Sequence, residues 1–214
     1  MPRKKLIRSR RFPYHLIARG NNREPFPCGM QFAWKTFVGE LLIQQALYGL
    51  KIHAFVLMPN HFHLLASVEG RDVDMVMRDF LSSTTRIMNH RTNRTGRVFG
   101  GPYFWSQVTD STYYAHVLKY VIRNPVKAGL SSTVADYPFS SYAGLLGAIP
   151  LPLRITDPAD HISKMVETEV ENLDRWLNIP HSSELNEAIK KALRWEEFEI
   201  FPSKKTRRKL DLSL

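Results

Sequence analysis

The segment Leu57-Met58-Pro59-Asn60-His61-Phe62-His63-Leu64-Leu65 decides the fold of this chain. Apolar and β-branched residues at strand spacing surround it, and Pro59-Asn60 is a turn signal between two strands. Side chains two residues apart in a strand share a face. We therefore expect His61 and His63 to project side by side, while Phe62 points into a core on the other face. Two parallel imidazoles on a rigid strand predict half of a metal site.

Length, charge and cysteine content limit the class of protein. The chain has 214 residues, enough for one full core and a small appendage. A net charge of +10 and a pI near 9.8 predict an acidic partner, with nucleic acid before an anionic membrane. Cys28 is the single cysteine, so no internal disulfide can form and a reducing cytosol is expected. No apolar run approaches the roughly 18 residues of a membrane span, so we expect a cytoplasmic protein.

The hydrophobic pattern predicts the element order β-α-β-β-α-β. A strand at 14–18 precedes a helix ended by Gly49, and the two strands around the turn follow. A second amphipathic helix over 72–91 leads to a fourth strand at 103–108. This order indicates an α+β, ferredoxin-like core with an antiparallel sheet and both helices on one face. The paired histidines should lie on the other, open face.

A further helix is predicted over 111–124, with Asp110 or Ser111 as its cap and Pro125 ending it. His116, Tyr120 and Asn124 are spaced four apart and should share one face. By itself this pattern is more typical of an ordinary surface helix than of a site.

Four motifs follow one another along the chain: Tyr14-His15 with Arg19-Gly20-Asn21, Met58 to Leu65, Tyr120 to Leu130, and Tyr137-Pro138-Phe139-Ser140-Ser141-Tyr142. Together they resemble the REP-associated tyrosine transposases, which belong to the single-tyrosine branch of the HUH (His-hydrophobe-His) endonucleases. The likeness covers roughly residues 12–147.

The resemblance implies the same β-α-β-β-α-β core, with the catalytic helix on the open sheet face. It implies that Tyr120 is the nucleophile and that His61, His63 and Asn124 bind a divalent metal, magnesium or manganese. Two imidazoles alone favour zinc, copper or nickel, so the choice of metal rests on the resemblance. Such enzymes attack single-stranded DNA at a hairpin-forming site, leaving a 5′-phosphotyrosine and a free 3′-hydroxyl that can rejoin strands.

Several alternatives stay open. Tyr113 and Tyr114 are rival nucleophiles on the same helix, while His116 and His15 are candidates for supporting the ligands or tuning the tyrosine proton. The protein could also bind hairpin DNA without cutting it. A third interpretation is a hydrolase whose paired histidines bind a metal that activates water.

Basic residues predict contacts with single-stranded or hairpin DNA rather than with a membrane. Phe104 and Trp105 could stack on bases, although strand aromatics more often belong to a core. We expect a monomer or homodimer, associated with the nucleoid of a bacterium. The candidate DNA-binding residues are Arg3, Lys4, Lys5, Arg8, Arg10, Arg11, Arg19, Arg94 and Arg97.

The predicted organisation has three parts. Residues 1–147 form the catalytic domain with its basic N-terminal arm, 148–200 a helical hairpin appendage, and 201–214 a basic tail. Each appendage helix carries an apolar stripe, so it must pack on its neighbour, on the catalytic core or on a second subunit.

Overall fold

The structure, a computed structural model, describes residues 12–68, 72–156 and 173–200. The basic arm, the tail at 201–214 and the start of the first appendage helix lie outside the described residues. No helix in the described part of the chain is long and apolar enough to cross a membrane. The elements are β1 (Tyr14–Arg19), α1 (Met30–Tyr48), β2 (Leu50–Met58), β3 (His61–Val68), α2 (Val73–Thr92), β4 (Phe104–Gln107), α3 (Ser111–Lys127), α4 (Ser141–Leu145), α5 (Leu173–Asn178) and α6 (Ser183–Ala192).

The four strands form one antiparallel sheet in the order β2-β3-β1-β4. β2 and β3 are joined by the tight turn at Pro59-Asn60, as the sequence predicts. Gly49 ends α1 in the left-handed conformation with φ 65°, which glycine adopts without a Cβ penalty. The predicted α+β fold with its β-α-β-β-α-β core is confirmed.

Each face of the sheet buries its own hydrophobic core. Phe62 and alternate residues of the neighbouring strands pack with Phe37 of α1 and with α2. On the opposite face, Val56 and Leu65 pack with Val117 of α3. Alternation along the strands therefore supplies both cores, and α3 covers the face that the first two helices leave open.

α3 begins where the sequence predicts but ends later. The Asp110 carboxylate accepts a hydrogen bond from the backbone N–H of Tyr113 at 3.0 Å and caps the helix. Pro125 does not end it, because the helix continues to Lys127. Pro125 has no N–H, so the carbonyl of Val121 lacks its usual helical partner. The Asn124 side chain donates to that carbonyl at 3.4 Å.

Both edges of the sheet are covered at specific positions. On β2, the Tyr137 hydroxyl donates to the carbonyl of Leu57 at 2.7 Å, and the Leu57 N–H donates to the Phe139 carbonyl at 2.9 Å. On β4, the N–H of Gln107 donates to the carbonyl of Glu196 at 2.8 Å. These contacts occupy backbone groups that an open edge strand would expose.

The described C-terminal helices pack on the outer side of α3. Leu177 of α5 and Ile189 of α6 are fully buried in the same core as Val121. The Arg123 side chain donates to the carbonyl of Leu177 at 2.7 Å and also to that of Asn178. The appendage helices were predicted to pack on each other, on the catalytic core or on a second subunit, and in the structure they contact the core. The division of the chain into three parts stays a prediction.

Candidate active site

The paired histidines lie at the start of β3, on the face covered by α3. His63 is buried, with 3% of its surface exposed, whereas His61 at the turn is only partly buried. Their ring centroids are 5.0 Å apart. Across the strand pair, His63 lies opposite Ile17 and His61 lies opposite Arg19. The histidine end of β3 is therefore the end at which the site reaches the protein surface.

α3 brings the ring of Tyr120 against these histidines. Its centroid is 5.9 Å from that of His63 and 6.4 Å from that of His15. The rival tyrosines lie elsewhere, since Tyr113 packs edge-on against Phe198 at 5.3 Å. The hydroxyl of Tyr114, the second rival, is 3.1 Å from Nδ1 of His53 in β2. Of the three tyrosines, Tyr120 is the one whose ring lies against His63.

Asn60 sets the protonation pattern of His61. The Asn60 Nδ2 donates to the carbonyl of Arg23 at 2.5 Å, and a carbonyl can only accept. The Asn60 Oδ1 therefore faces His61 Nδ1, 2.7 Å away, and must accept a hydrogen bond from the Nδ1–H group. With the proton on Nδ1, the neutral imidazole of His61 carries its lone pair on Nε2. That is the nitrogen a cation would bind.

His15 contacts Nδ1 of His63, the same ring nitrogen that Asn60 contacts in His61. Its Nε2 lies 2.9 Å from Nδ1 of His63, and the two rings stack with centroids 5.1 Å apart. One of the two nitrogens donates and the other accepts. If His63 donates through Nδ1, its own Nε2 is left to bind a cation, in parallel with His61. Metal binding at His63 therefore requires that His15 accept this hydrogen bond.

Burial keeps these histidines neutral. It lowers the pKa of His15 to about 3, with a further effect from the nearby His61. Burial and the positive charge of Arg19 lower the pKa of His61 to about 4, and burial also holds the pKa of His63 well below its usual value. Neutral imidazoles are the form that binds cations, so the site is prepared for one at neutral pH.

The phenol of Tyr120 holds its proton in this environment. Burial, followed by the negative charge of Glu187, raises the pKa of Tyr120, while Arg19 and Arg194 oppose the rise. A phenol with a raised pKa is a weak nucleophile unless a positive charge approaches it. Any nucleophilic role for Tyr120 thus needs added positive charge beside the histidines.

Asn124 supplies an amide one helical turn after Tyr120. Its Nδ2 donates to the carbonyl of Tyr120 at 2.9 Å, so Oδ1 is the side-chain atom suited to a cation. In residues 12–68, 72–156 and 173–200, no three His, Cys, Asp or Glu side chains form a metal-binding group. By their chemistry, two imidazole nitrogens and an amide oxygen are donors that a divalent cation accepts, with positions left for water and phosphate.

The remaining predicted residues divide into two groups. Nδ1 of His116 lies 3.2 Å from Nε2 of His181, so its described contact is with the C-terminal part and gives no support to a role beside Tyr120. Arg19, Arg94 and Arg97 are exposed. The loop that carries Arg94 and Arg97 continues to the histidine end of the sheet. There the N–H of Asn21 donates to the carbonyl of Val98, and the N–H of Gly100 donates to the carbonyl of Arg19. The predicted basic arm at 3–11 lies outside the described residues.

The sequence interpretation missed the part played by Asn60 and Gly20. From the sequence, Asn60 was interpreted only as a turn residue. Its position directly before His61 was the signal that could have indicated a contact with that ring. A Cβ on Gly20 would lie 2.7 Å from the carbonyl oxygen of Glu24 and 3.2 Å from that of Asn60, so only glycine fits. The Gly20 N–H donates to the Asn60 carbonyl at 2.6 Å, which brings the Arg23 carbonyl within reach of the Asn60 side chain.

Comparison with known proteins adds three findings. The profile of the family described as IS200-like transposase matches residues 9–124. A REP-associated tyrosine transposase of Escherichia coli K12 is 34% identical over 95 residues, which are 43% of this chain and 54% of the relative, about half its length. A solved REP-associated tyrosine transposase bound to a REP hairpin has a TM-score of 0.59 and 19% identity, over 74% of this chain and 93% of that one. That structure shares the fold described above.

Proposed function

Because this chain belongs to the IS200-like transposase family, we propose that it cleaves and rejoins hairpin-forming single-stranded DNA through Tyr120. The observation that carries the proposal is the 5.9 Å separation between the rings of Tyr120 and His63. This separation is small enough for one phosphate to contact both the phenol and a cation on the histidines. The REP hairpin bound by the structural relative indicates the kind of DNA to test first.

The proposed reaction is a transfer of a phosphoryl group to the phenol. The Tyr120 hydroxyl oxygen forms a bond to phosphorus and gives up its proton, while the bond from phosphorus to the 3′-oxygen of the preceding nucleotide breaks. That oxygen takes a proton and becomes a free 3′-hydroxyl, and the phosphate stays on the tyrosine as a 5′-phosphotyrosine. The reverse attack by a 3′-hydroxyl rejoins the strand without ATP, because the phosphoester bond is conserved.

His61, His63 and Asn124 would hold the divalent metal, for which magnesium and manganese are the candidates. A cation bound there would polarise the phosphate and offset its developing negative charge, a contribution of several kcal/mol. The neutral state of the histidines and the Nδ1 hydrogen bond of His61 to Asn60 support binding through Nε2. Manganese should be tested first, because it accepts both imidazole nitrogen and amide oxygen.

Basic residues near the histidine end of the sheet would hold the DNA backbone. Arg19 lies beside His61 in the strand pairing, and the loop with Arg94 and Arg97 joins the same end of the sheet. With a net charge of +10, the chain should bind DNA less tightly as salt concentration rises. The basic arm at 3–11 and the tail after 200 contribute part of this charge.

A second candidate function is binding of hairpin DNA without cleavage. The raised pKa of Tyr120 favours it, since a buried neutral phenol is a poor nucleophile. Both candidates predict salt-sensitive binding, but only the first predicts a covalent complex of protein and DNA.

The deciding experiment incubates the protein with end-labelled hairpin DNA and manganese or magnesium, followed by a denaturing gel. We expect a band of protein-linked DNA with the wild type and with Tyr113→Phe. Tyr120→Phe should abolish that band while leaving DNA binding intact. A band that persists with Tyr120→Phe would contradict the assignment of the nucleophile. Cleavage without any linked band would instead indicate a metal-activated water.

A further inference from the structure

The sheet face that carries the histidines is covered by α3 over β2 and β3, where Val56 and His63 are buried. Over β1 and β4 it is accessible at the histidine end only, since His15 and Ser106 farther along the same face are buried. Ile17 is half-buried, Arg19 is exposed, and Phe104 has 67% of its surface exposed. An accessible surface therefore continues from the candidate active site towards the β4 edge.

Strand register puts the Phe104 ring on this surface. Phe104 pairs with Ile17, and Ile17 pairs with His63, so the three side chains form one row across the sheet. Paired residues of adjacent strands project to the same face. Phe104 therefore lies two strand spacings from His63, roughly 10 Å, on the same face. Arg19 occupies the next row on that face, opposite His61.

Packing does not account for the position of Phe104. The adjacent Trp105 points to the other face and is 8% exposed within the first core. The strand is nevertheless held firmly at this point, because the Tyr103 hydroxyl donates to the Asp74 carboxylate at 2.5 Å. A large exposed aromatic ring on a fixed strand, with an exposed arginine in the next row, has the chemistry of a base-stacking platform.

We propose that Phe104 stacks on a base next to the phosphodiester that Tyr120 attacks, while Arg19 contacts the intervening DNA backbone. The inference rests on the proposed function, which it deepens by assigning a contact to the unpaired strand. The ligand is a nucleobase of single-stranded DNA, since a paired base has its faces occupied by its neighbours in the helix. Stacking on one base tolerates different sequences, because every base has a π face. The contact therefore positions the strand more than it selects a sequence.

The first test measures binding in a Tyr120→Phe background, so that cleavage does not affect the result. A fluorescent hairpin with a single-stranded flank is titrated with protein, and anisotropy reports the dissociation constant. Phe104→Ala should weaken binding roughly 5- to 150-fold, the range expected for loss of one stacked base. Phe104→Tyr keeps the ring and should bind as the parent does. Leu47→Ala is the matched control, because Leu47 is 64% exposed and belongs to α1 on the opposite side of the sheet.

The second test locates the base. Each flanking nucleotide is replaced in turn by an abasic one, and binding is measured with Phe104 and with Phe104→Ala. One abasic position should weaken the binding of the parent by the same factor and have little further effect on Phe104→Ala. Equal binding by Phe104→Ala and Leu47→Ala, or fully additive losses at every position, would overturn the inference.

The outcomes separate this inference from the proposed function. Wild type that forms the covalent band while Phe104→Ala binds normally would overturn the stacking contact alone. Wild type that binds the flank through Phe104 but forms no covalent band would contradict cleavage and leave the contact standing. Absence of binding to any hairpin with a flank would overturn both.

Discussion

Replacing Asn60 tests whether the turn before β3 prepares His61 for a cation. In Asn60→Ala, His61 loses the acceptor at 2.7 Å that holds its proton on Nδ1. The imidazole is then free to rotate and to carry its proton on Nε2, where it blocks coordination. Loss of such a supporting hydrogen bond typically lowers metal affinity 10- to 100-fold, about 1.4 to 2.7 kcal/mol. We expect that loss for manganese.

A second substitution at the same position separates the two hydrogen bonds of Asn60. In Asn60→Asp the carboxylate still accepts from Nδ1 of His61 but cannot donate to the carbonyl of Arg23. Manganese affinity should therefore exceed that of Asn60→Ala. Because the hydrogen bond to Arg23 is exposed to solvent, its loss should cost about 0.5 to 1.5 kcal/mol of folding free energy. For a chain of this size each kcal/mol lowers the melting temperature by about 2 to 4 °C.

The assay is a manganese titration followed by electron paramagnetic resonance, with thermal unfolding of the same samples. Asn21→Ala is the control, because it alters the neighbouring loop without removing either hydrogen bond of Asn60. Unchanged manganese affinity in Asn60→Ala would refute the reasoning, provided that its melting temperature shows an intact fold. It would mean that β3 alone fixes the orientation of the His61 ring.

Three further predictions concern other parts of the molecule. His15→Ala should lower manganese affinity 10- to 100-fold, because it removes the hydrogen-bond partner of His63. Unchanged affinity in the same titration would contradict this. Ile189→Ala should lower the free energy of unfolding by about 2 to 5 kcal/mol in chemical denaturation, because that side chain is fully buried against α3. Ile179→Ala is the control: its side chain is 53% exposed, so the free energy of unfolding should change by less than about 0.5 kcal/mol. Arg19→Ala and Arg97→Ala should each reduce the slope of log affinity against log salt by about 1, and an unchanged slope would show that the residue does not contact phosphate.

The sequence predicted the sheet because strand alternation is a local property. Phe62 and His63 must face opposite sides wherever β3 packs, so the position of the paired histidines follows from spacing alone. Pro125 shows the limit of such rules. A proline usually ends a helix, but here Asn124 donates to the carbonyl left without a partner and buried contacts extend α3 by three residues beyond the predicted end at 124.

Contacts between distant segments could not be read from spacing. Four residues along a helix leave an offset of about 40°, so the shared face of His116 and Tyr120 was only approximate. In the structure these two residues contact different partners, His181 and His63 respectively. The function of Asn60 likewise depends on the Arg23 carbonyl, which a loop elsewhere in the chain brings to it.

The position of α3 between the sheet and the two C-terminal helices has a consequence for how copies of this protein could cooperate. In the structure, the Tyr120 ring lies beside His63 of the same chain. For α3 to pass to a neighbouring copy, the hydrophobic contacts on both of its sides and the hydrogen bonds of Arg123 would all have to break first. Enclosure on both sides therefore opposes an exchange of α3 between copies.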